Sequence, residues 1–237
     1  MRKSMFVAAA SFFIAASVNA QKEKQETIEG NGTVISKEVP VSSFTALKAS
    51  GVYELNLSQG DKEGVKIEAD ENLQQYFSVH NEGSQLIIEM KELKGKNLKL
   101  KSKMKVYVSF KQLKQMDLSM VGSVNAATQL SFADLDIKNS SVGGVDLNLS
   151  ATTLTLKNNS VGKVKLSGKA QTAEIINNGV GNLDASNFVV QTMNIDNSGV
   201  GGAVVNAEKE LKVKDSMLGH VKNKGAAPMK KNNKVRV

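Results

Sequence analysis

No cysteine occurs in the 237 residues. That excludes disulfides, thiolate metal sites and a lipid-modified cysteine behind an export signal. Tryptophan is also absent, and the two histidines, His80 and His220, are far apart in sequence. After Arg2 the one arginine is Arg236, and after Phe110 the remaining aromatic residues are Phe132 and Phe188. Flat aromatic platforms for sugars or bases are therefore scarce, and both phenylalanines read as large core fillers between strands. No nucleophile–base motif, phosphate loop or zinc-ligand spacing is present. Beyond the first twenty residues no apolar stretch approaches the ~20 residues needed to cross a bilayer as a helix.

What is present begins with an export signal. Arg2 and Lys3 precede the apolar run Phe6–Val18, and Val18-Asn19-Ala20 offers small residues before a cleavage point. The run is too short for a membrane anchor, so residues 1–20 read as a cleaved leader. Charge is uneven in the remainder. The segment 106–221 balances ten lysines with ten acids, residues 21–90 are acidic, and lysines cluster at 91–105 and again at 222–237. The formal net charge of +8 thus belongs to local clusters, and the middle of the chain is neutral.

That middle repeats itself six times. The blocks are Ser119-Met-Val-Gly-Ser-Val124, Ser140-Ser-Val-Gly-Gly-Val145, Asn159-Ser-Val-Gly-Lys-Val164, Asn178-Gly-Val-Gly-Asn-Leu183, Ser198-Gly-Val-Gly-Gly-Ala203 and Ser216-Met-Leu-Gly-His-Val221. Their glycines, Gly122, Gly143, Gly162, Gly181, Gly201 and Gly219, are 21, 19, 19, 20 and 18 residues apart. A period near twenty in chain rich in β-type and turn residues predicts a solenoid, one coil per repeat. Six residues before each glycine lie Met116, Ile137, Leu156, Ile175, Ile195 and Val213. Two after lie Val124, Val145, Val164, Leu183, Ala203 and Val221, and one before lie Val121, Val142, Val161, Val180, Val200 and Leu218. Eight before, Leu135, Leu154, Ala173, Met193 and Leu211 are apolar, with Lys114 in the first block. Aliphatic columns running lengthwise through a tube are expected, with Val142, Val161 and Val180 in line. The glycines are expected at coil turns, where the chain needs positive φ or close approach to the next coil.

Four residues before the glycine stands a polar column, Asn139, Asn158, Asn177, Asn197 and Asp215. Stacked at the ~4.8 Å strand spacing, such amides can donate and accept along the axis as a ladder. A calcium site would require several converging carboxylates, whereas this column has one. The first third of the chain is strand-like but less regular, with candidate strands Val52–Leu57, Val65–Ala69, Leu86–Met90 and Leu98–Val108. In the last of these Lys99, Lys101, Lys103 and Lys105 would face one side, giving either a surface for an anionic ligand or a solvated strand face that discourages edge pairing. The organisation expected is a leader (1–20), a flexible segment (21–32), an irregular β region continuous with the solenoid (33–112), regular coils (113–221) and a basic tail (222–237).

The run Phe44-Thr-Ala-Leu-Lys-Ala-Ser-Gly-Val-Tyr-Glu-Leu-Asn-Leu-Ser-Gln-Gly60, then Val65-Lys-Ile-Glu-Ala-Asp-Glu-Asn-Leu73, Ser84-Gln-Leu-Ile-Ile88 and the serial Ser/Gly-Val-Gly blocks resembles an exported Bacteroidetes family of unknown function. That family is named for an autotransporter-adhesin head (head GIN) domain. The resemblance covers about residues 44–221 and implies a right-handed parallel β-helix. It differs in one respect: the family's usual Ser-Gly-Ser-Gly turn stands here as Ser/Gly-Val-Gly. The expected class is all-β, a right-handed parallel β-helix with coils of about 19–20 residues. The expected role is a non-catalytic adhesin-like or envelope module with no catalytic residue, cofactor or metal. Its partner would be a cell-surface glycan or an envelope protein, with oligomerisation left open. The expected location is periplasm, outer-membrane surface or medium. Nucleic acid is excluded by export and by the lack of aromatics among the lysines. Two alternatives stay open: a polysaccharide lyase or glycosidase using acids such as Asp134 and Asp136, and a periplasmic scaffold whose lysine-rich tail touches anionic lipid or glycan.

Overall fold

A computed structural model describes residues 26–91 and 96–231; the expected leader lies outside them. The chain winds into a β-solenoid of about six turns. Each regular coil is one long strand bent in the middle, Val145–Asn158, Val164–Asn177, Leu183–Asn197 and Ala203–Asp215. Successive coils pair in parallel and in register, Val145 with Val164, Leu156 with Ile175 and Asn158 with Asn177. The column six residues before the glycine runs unbroken from Leu47 through Met116, Ile137, Leu156, Ile175 and Ile195 to Val213. All of these side chains are buried.

Strand alternation decides which columns form the core. Positions eight, six and four before the glycine and two after share one parity and point inward. The position one before has the other parity. Val121, Val142, Val161, Val180 and Val200 are indeed in line, bridged coil to coil, but they are 49–52% exposed. The five valines form an external stripe, not a core column. The core is instead completed by the position four after the glycine, with Leu147, Leu166, Ala185 and Val205 all buried.

Both ends of the stack are covered. Beneath the first repeat coil lies Ala46–Val52 with Glu54–Gln59, and beneath that Gln85–Met90 with Lys105–Phe110, all in parallel. Three antiparallel strands then close the end: Phe77–Glu82 on Gln85–Met90, Gly64–Asp70 on Lys105–Phe110, and Val34–Val39 outermost. The segment 21–32, expected as flexible, contains a strand, Thr27–Glu29, paired with Asn97–Lys99. At the other end Val221–Asn223 and Met229–Lys231 lie on the last long strand. Residues 222–231 are therefore a partial final coil, not a free tail. Two short strands carrying exposed lysines blunt an edge that would otherwise template aggregation.

Candidate functional site

The polar column is an internal hydrogen-bonded chain. Asn139 Nδ2 donates to Asn158 Oδ1 at 2.8 Å, Asn158 Nδ2 to Asn177 Oδ1 at 2.7 Å, and Asn177 Nδ2 to Asn197 Oδ1 at 2.6 Å. All four residues are buried. Ser160 Oγ donates to Asn158 Oδ1, the Ser141 backbone N–H donates to Asn139 Oδ1, and Asn197 Nδ2 ends the chain on the Gly201 carbonyl. Asp215 is in register with Asn197 but does not extend the amide chain; its side chain, 10% exposed, accepts from Lys231 at 3.0 Å. Enclosed and satisfied, the amides have no open face for an ion or sugar, so the functional site lies elsewhere.

The glycines Gly122, Gly143, Gly162, Gly181 and Gly201 have φ between 132° and 145°. A Cβ on Gly162 would stand 2.2 Å from the Gly143 carbonyl oxygen, and one on Gly143 2.2 Å from that of Gly122. Gly219 departs from this pattern. It has no positive φ, and it lies in a tight turn in which its N–H donates to the Ser216 carbonyl. With 18 residues separating it from Gly201, the chain is too short to repeat the corner.

The lysines at 99–105 do not form one row. Strand structure stops at Lys99 and resumes at Lys105, with a bend at Lys101 and Ser102; Met104 is buried, but Leu100, on the same parity, is exposed. Lys99 and Lys101 both pair with Glu29, at 3.2 and 3.5 Å. Lys103 borders a 260 Å³ cavity with Val52, Tyr53, Leu100 and Met104. Lys105 lies in register with Glu54 and Glu68. Dispersed and facing acids, these residues are poorly arranged to grip an anion.

Asp134 and Asp136 lie outside the grooves described below, and Asp136 Oδ1 is buried without a partner. Glu174 and Asp196 share a cavity of about 380 Å³ with Lys212 and Lys214. Partial burial alone would raise the pKa of Asp196. The Lys214 ammonium and the Ser198 hydroxyl outweigh it and hold the carboxyl below the usual carboxylate range. Asp184 is likewise held down, by Ser186 and Lys163. A glycosidase needs one carboxyl of its pair kept protonated near neutrality, and neither of these two aspartates is held that way. Among the described residues no cluster of three or more His, Asp or Glu could hold a metal, and no helix is long and apolar enough to cross a membrane. His80 sits between Ser78 and Glu82, and His220 is exposed.

The low pKa of Asp196 has a testable sign. The folded state favours its ionised form, so its contribution is complete well above the unfolded carboxylate value of about 4 and disappears as pH falls through the folded one. Asp196→Asn should melt below the parent at pH 7, and the two melting temperatures should converge as pH falls below the usual carboxylate range.

A concavity of about 720 Å³ lies at the bend of the long strands. Its floor is the register column Phe132, Ala151, Ala170. Small side chains on two consecutive coils sink the surface, and the Phe132 ring stands at one end. One rim carries Ser150, Lys169 and Val189, the other Thr152, Gln171 and Gln191, with Gln129 beside Phe132. Phe188 is fully buried as expected, whereas Phe132 is only partly buried and stacks on Phe110 at 6.1 Å between ring centroids. The sequence carried the signal: Phe132 aligns with alanines on the next two coils, so no large neighbour covers it. The trough offers one aromatic surface, the Ser150 hydroxyl and the single charge Lys169 on one rim, and the Thr152 hydroxyl with the Gln171 and Gln191 amides on the other.

The same architecture recurs in solved structures. A Bacteroides fragilis NCTC 9343 protein described as a "putative adhesin" shares 26% identity over 86% of this chain and 99% of its own, with a TM-score of 0.71. A Parabacteroides merdae ATCC 43184 protein with the same description gives 22% identity over 88% and 100%, TM-score 0.53. A Parabacteroides distasonis ATCC 8503 protein described as a "putative lipid binding protein" gives 17% over 88% and 100%, TM-score 0.55. No curated protein matches the sequence. Residues 43–227 match the family model described as "Putative auto-transporter adhesin, head GIN domain", and the chain belongs to that family.

Proposed function

We propose that the chain is an exported, non-catalytic adhesin-like module whose trough holds an extended surface glycan. The observation that carries this reading is the partly exposed Phe132 ring, set at the end of an alanine floor between two rims of hydrogen-bonding side chains. A sugar ring laid against Phe132 meets an apolar face, and the shallow space over the nearly buried alanines brings it between side chains that donate and accept on either side, the usual division of labour in a concave ligand site. With no acid among the lining residues, Lys169 leaves room for an acidic sugar. Adhesin-like relatives and family membership are consistent with a binding role at the cell envelope.

Glycan-array screening followed by calorimetry on the best ligand tests the reading. Phe132→Ala and Gln171→Ala should each weaken binding about 10-fold, roughly 1.4 kcal/mol; Gln171→Ala should leave melting unchanged, whereas Phe132→Ala also removes a ring packed on Phe110 and should melt lower. Unaltered affinity in both variants would rule out the trough. Turnover of an acidic polysaccharide that is lost in Asp134→Asn or Asp136→Asn would replace the binder with an enzyme.

A further inference from the structure

The valine stripe does not belong to the trough, and nothing in the folding of a single chain requires it to be apolar. Val121, Val142, Val161, Val180 and Val200 stand in register on five coils, each about half exposed. The stripe continues one coil further at both ends. Below Val121 lies Val52, at the mouth of the 260 Å³ cavity whose floor is Tyr53, Leu100 and Met104 and whose lining also includes one charge of each sign, Glu54 and Lys103. Above Val200 lies Leu218, 67% exposed, next to Met217 at 93%. The Gly201 N–H bonds the Leu218 carbonyl, which holds that turn on the stack.

We propose that this stripe is the interface of an antiparallel dimer with a second copy of the chain. With Val161 on the two-fold axis, Val142 meets Val180 of the second copy and Val121 meets its Val200. Val52, three coils from the axis, then faces Leu218, three coils away in the other direction. Both ends of the interface become a knob in a hole, because the protruding Leu218 and Met217 of each copy cover the cavity of the other. Such matching of a surface to itself under a two-fold is what an isologous contact requires.

Charge supports the same occupant. The column on one side of the valines is Ser119, Ser140, Asn159, Asn178 and Ser198, and on the other Ser123, Gly144, Lys163, Asn182 and Gly202. Lys163 is the one ion in these two columns, and Asp184 neutralises it at 3.2 Å. A face that meets its own copy cannot be strongly charged, whereas hydroxyls and amides both donate and accept and so suit it. The other strand faces of the coils carry lysines and acids, such as Lys165 with Asp146 and Lys214 with Asp196. The five valines expose on the order of 400 Å², about the size of the largest apolar patch on a typical monomer. With the flanking polar columns the strip reaches the ~800 Å² per partner of a standard stable interface.

Sedimentation equilibrium of the purified chain should show a dimer at micromolar concentration. Val161→Lys places two ammonium groups at the axis and should raise the dissociation constant at least 100-fold. As the residue points outward, circular dichroism and melting should stay those of the parent. Thr152→Lys, in the trough, should leave the dimer intact. Because the chain has no cysteine, orientation can be read directly. Val161→Cys alone should form a covalent dimer on oxidation. Val121→Cys alone should not, while Val121→Cys mixed with Val200→Cys should. A monomeric parent, an unchanged dimer in Val161→Lys, or self-crosslinking of Val121→Cys as efficient as that of Val161→Cys would overturn the proposal. None of these outcomes bears on glycan binding in the trough, so the two readings fail separately.

Discussion

Gly162→Ala should destabilise the protein by about 3–5 kcal/mol, although it adds a single methyl group. Two costs combine. Gly162 has φ of +145°, a region that side-chain-bearing residues rarely adopt, and the new Cβ would stand 2.2 Å from the Gly143 carbonyl oxygen. That oxygen is backbone, so the clash cannot be relieved by turning a side chain. It can be relieved only by parting two coils whose hydrogen bonds, such as Gly143 N–H to the Val161 carbonyl at 2.9 Å, hold the corner together. Gly144→Ala is the matched control. Its Cβ would lie 3.6 Å from the Lys163 carbonyl oxygen, an ordinary contact, and the change should cost less than about 1 kcal/mol. Urea denaturation of the two variants and the parent measures both. Equal destabilisation would mean that the corner does not depend on the missing side chain.

Asn158→Ala is expected to cost a similar amount, about 3–5 kcal/mol, for a different reason. Its amide accepts from Asn139 and Ser160 and donates to Asn177, all inside the tube. Removing it strands three buried polar groups at once, each of which then bears its desolvation penalty without a partner. Asp215→Ala removes the last member of the same sequence column. Asp215 bonds none of the amides and pairs instead with the half-exposed Lys231, which can turn to water when its partner is lost, so although the carboxylate is itself 10% exposed the loss should be smaller, about 1–2 kcal/mol. Thermal denaturation of both variants should therefore separate the column into a costly interior and an inexpensive end. Comparable losses at Asn158 and Asp215 would contradict the hydrogen-bonded chain.

The coil architecture was legible because the same residue types recur at fixed offsets from the glycines, and each offset became one column in register. The direction of the valines was harder to read. Val142 looks like a core residue by type, and only counting parity through the corner, from the buried Ile137 and Asn139 to the buried Val145, sends it outward. The lysine run failed for a related reason. Alternation from Lys99 to Lys105 is interrupted only by Ser102, yet the chain bends at Lys101 and Ser102 and leaves Leu100 exposed, so the lysines fall on two separate strands and the bend between them. Gly219 fits the block pattern, yet the spacing of 18 is too short for the corner and produces a turn. Lys222 and Lys224 read as tail because charge dominates their local composition. Val221 and Ala227, buried on either side of them, supply the weaker signal of another coil. The trough at Phe132 was hidden because it depends on what lies one coil above, where Ala151 and Ala170 leave the ring uncovered. A linear reading for large core fillers does not ask that question.

The central claim is that each repeat adds one strand spacing along a single axis. Ser119 and Ser198 occupy the same exposed position four coils apart, so their backbones should be separated by about 19 Å despite the length of chain between them. Double electron–electron resonance between spin labels on Ser119→Cys/Ser198→Cys, diluted with unlabelled protein to suppress signals between copies, measures that separation on a background free of native cysteine. A narrow distribution centred within a few ångström of 19 Å is the predicted result. A broad distribution, or a centre beyond about 30 Å, would mean that the repeats do not stack in register.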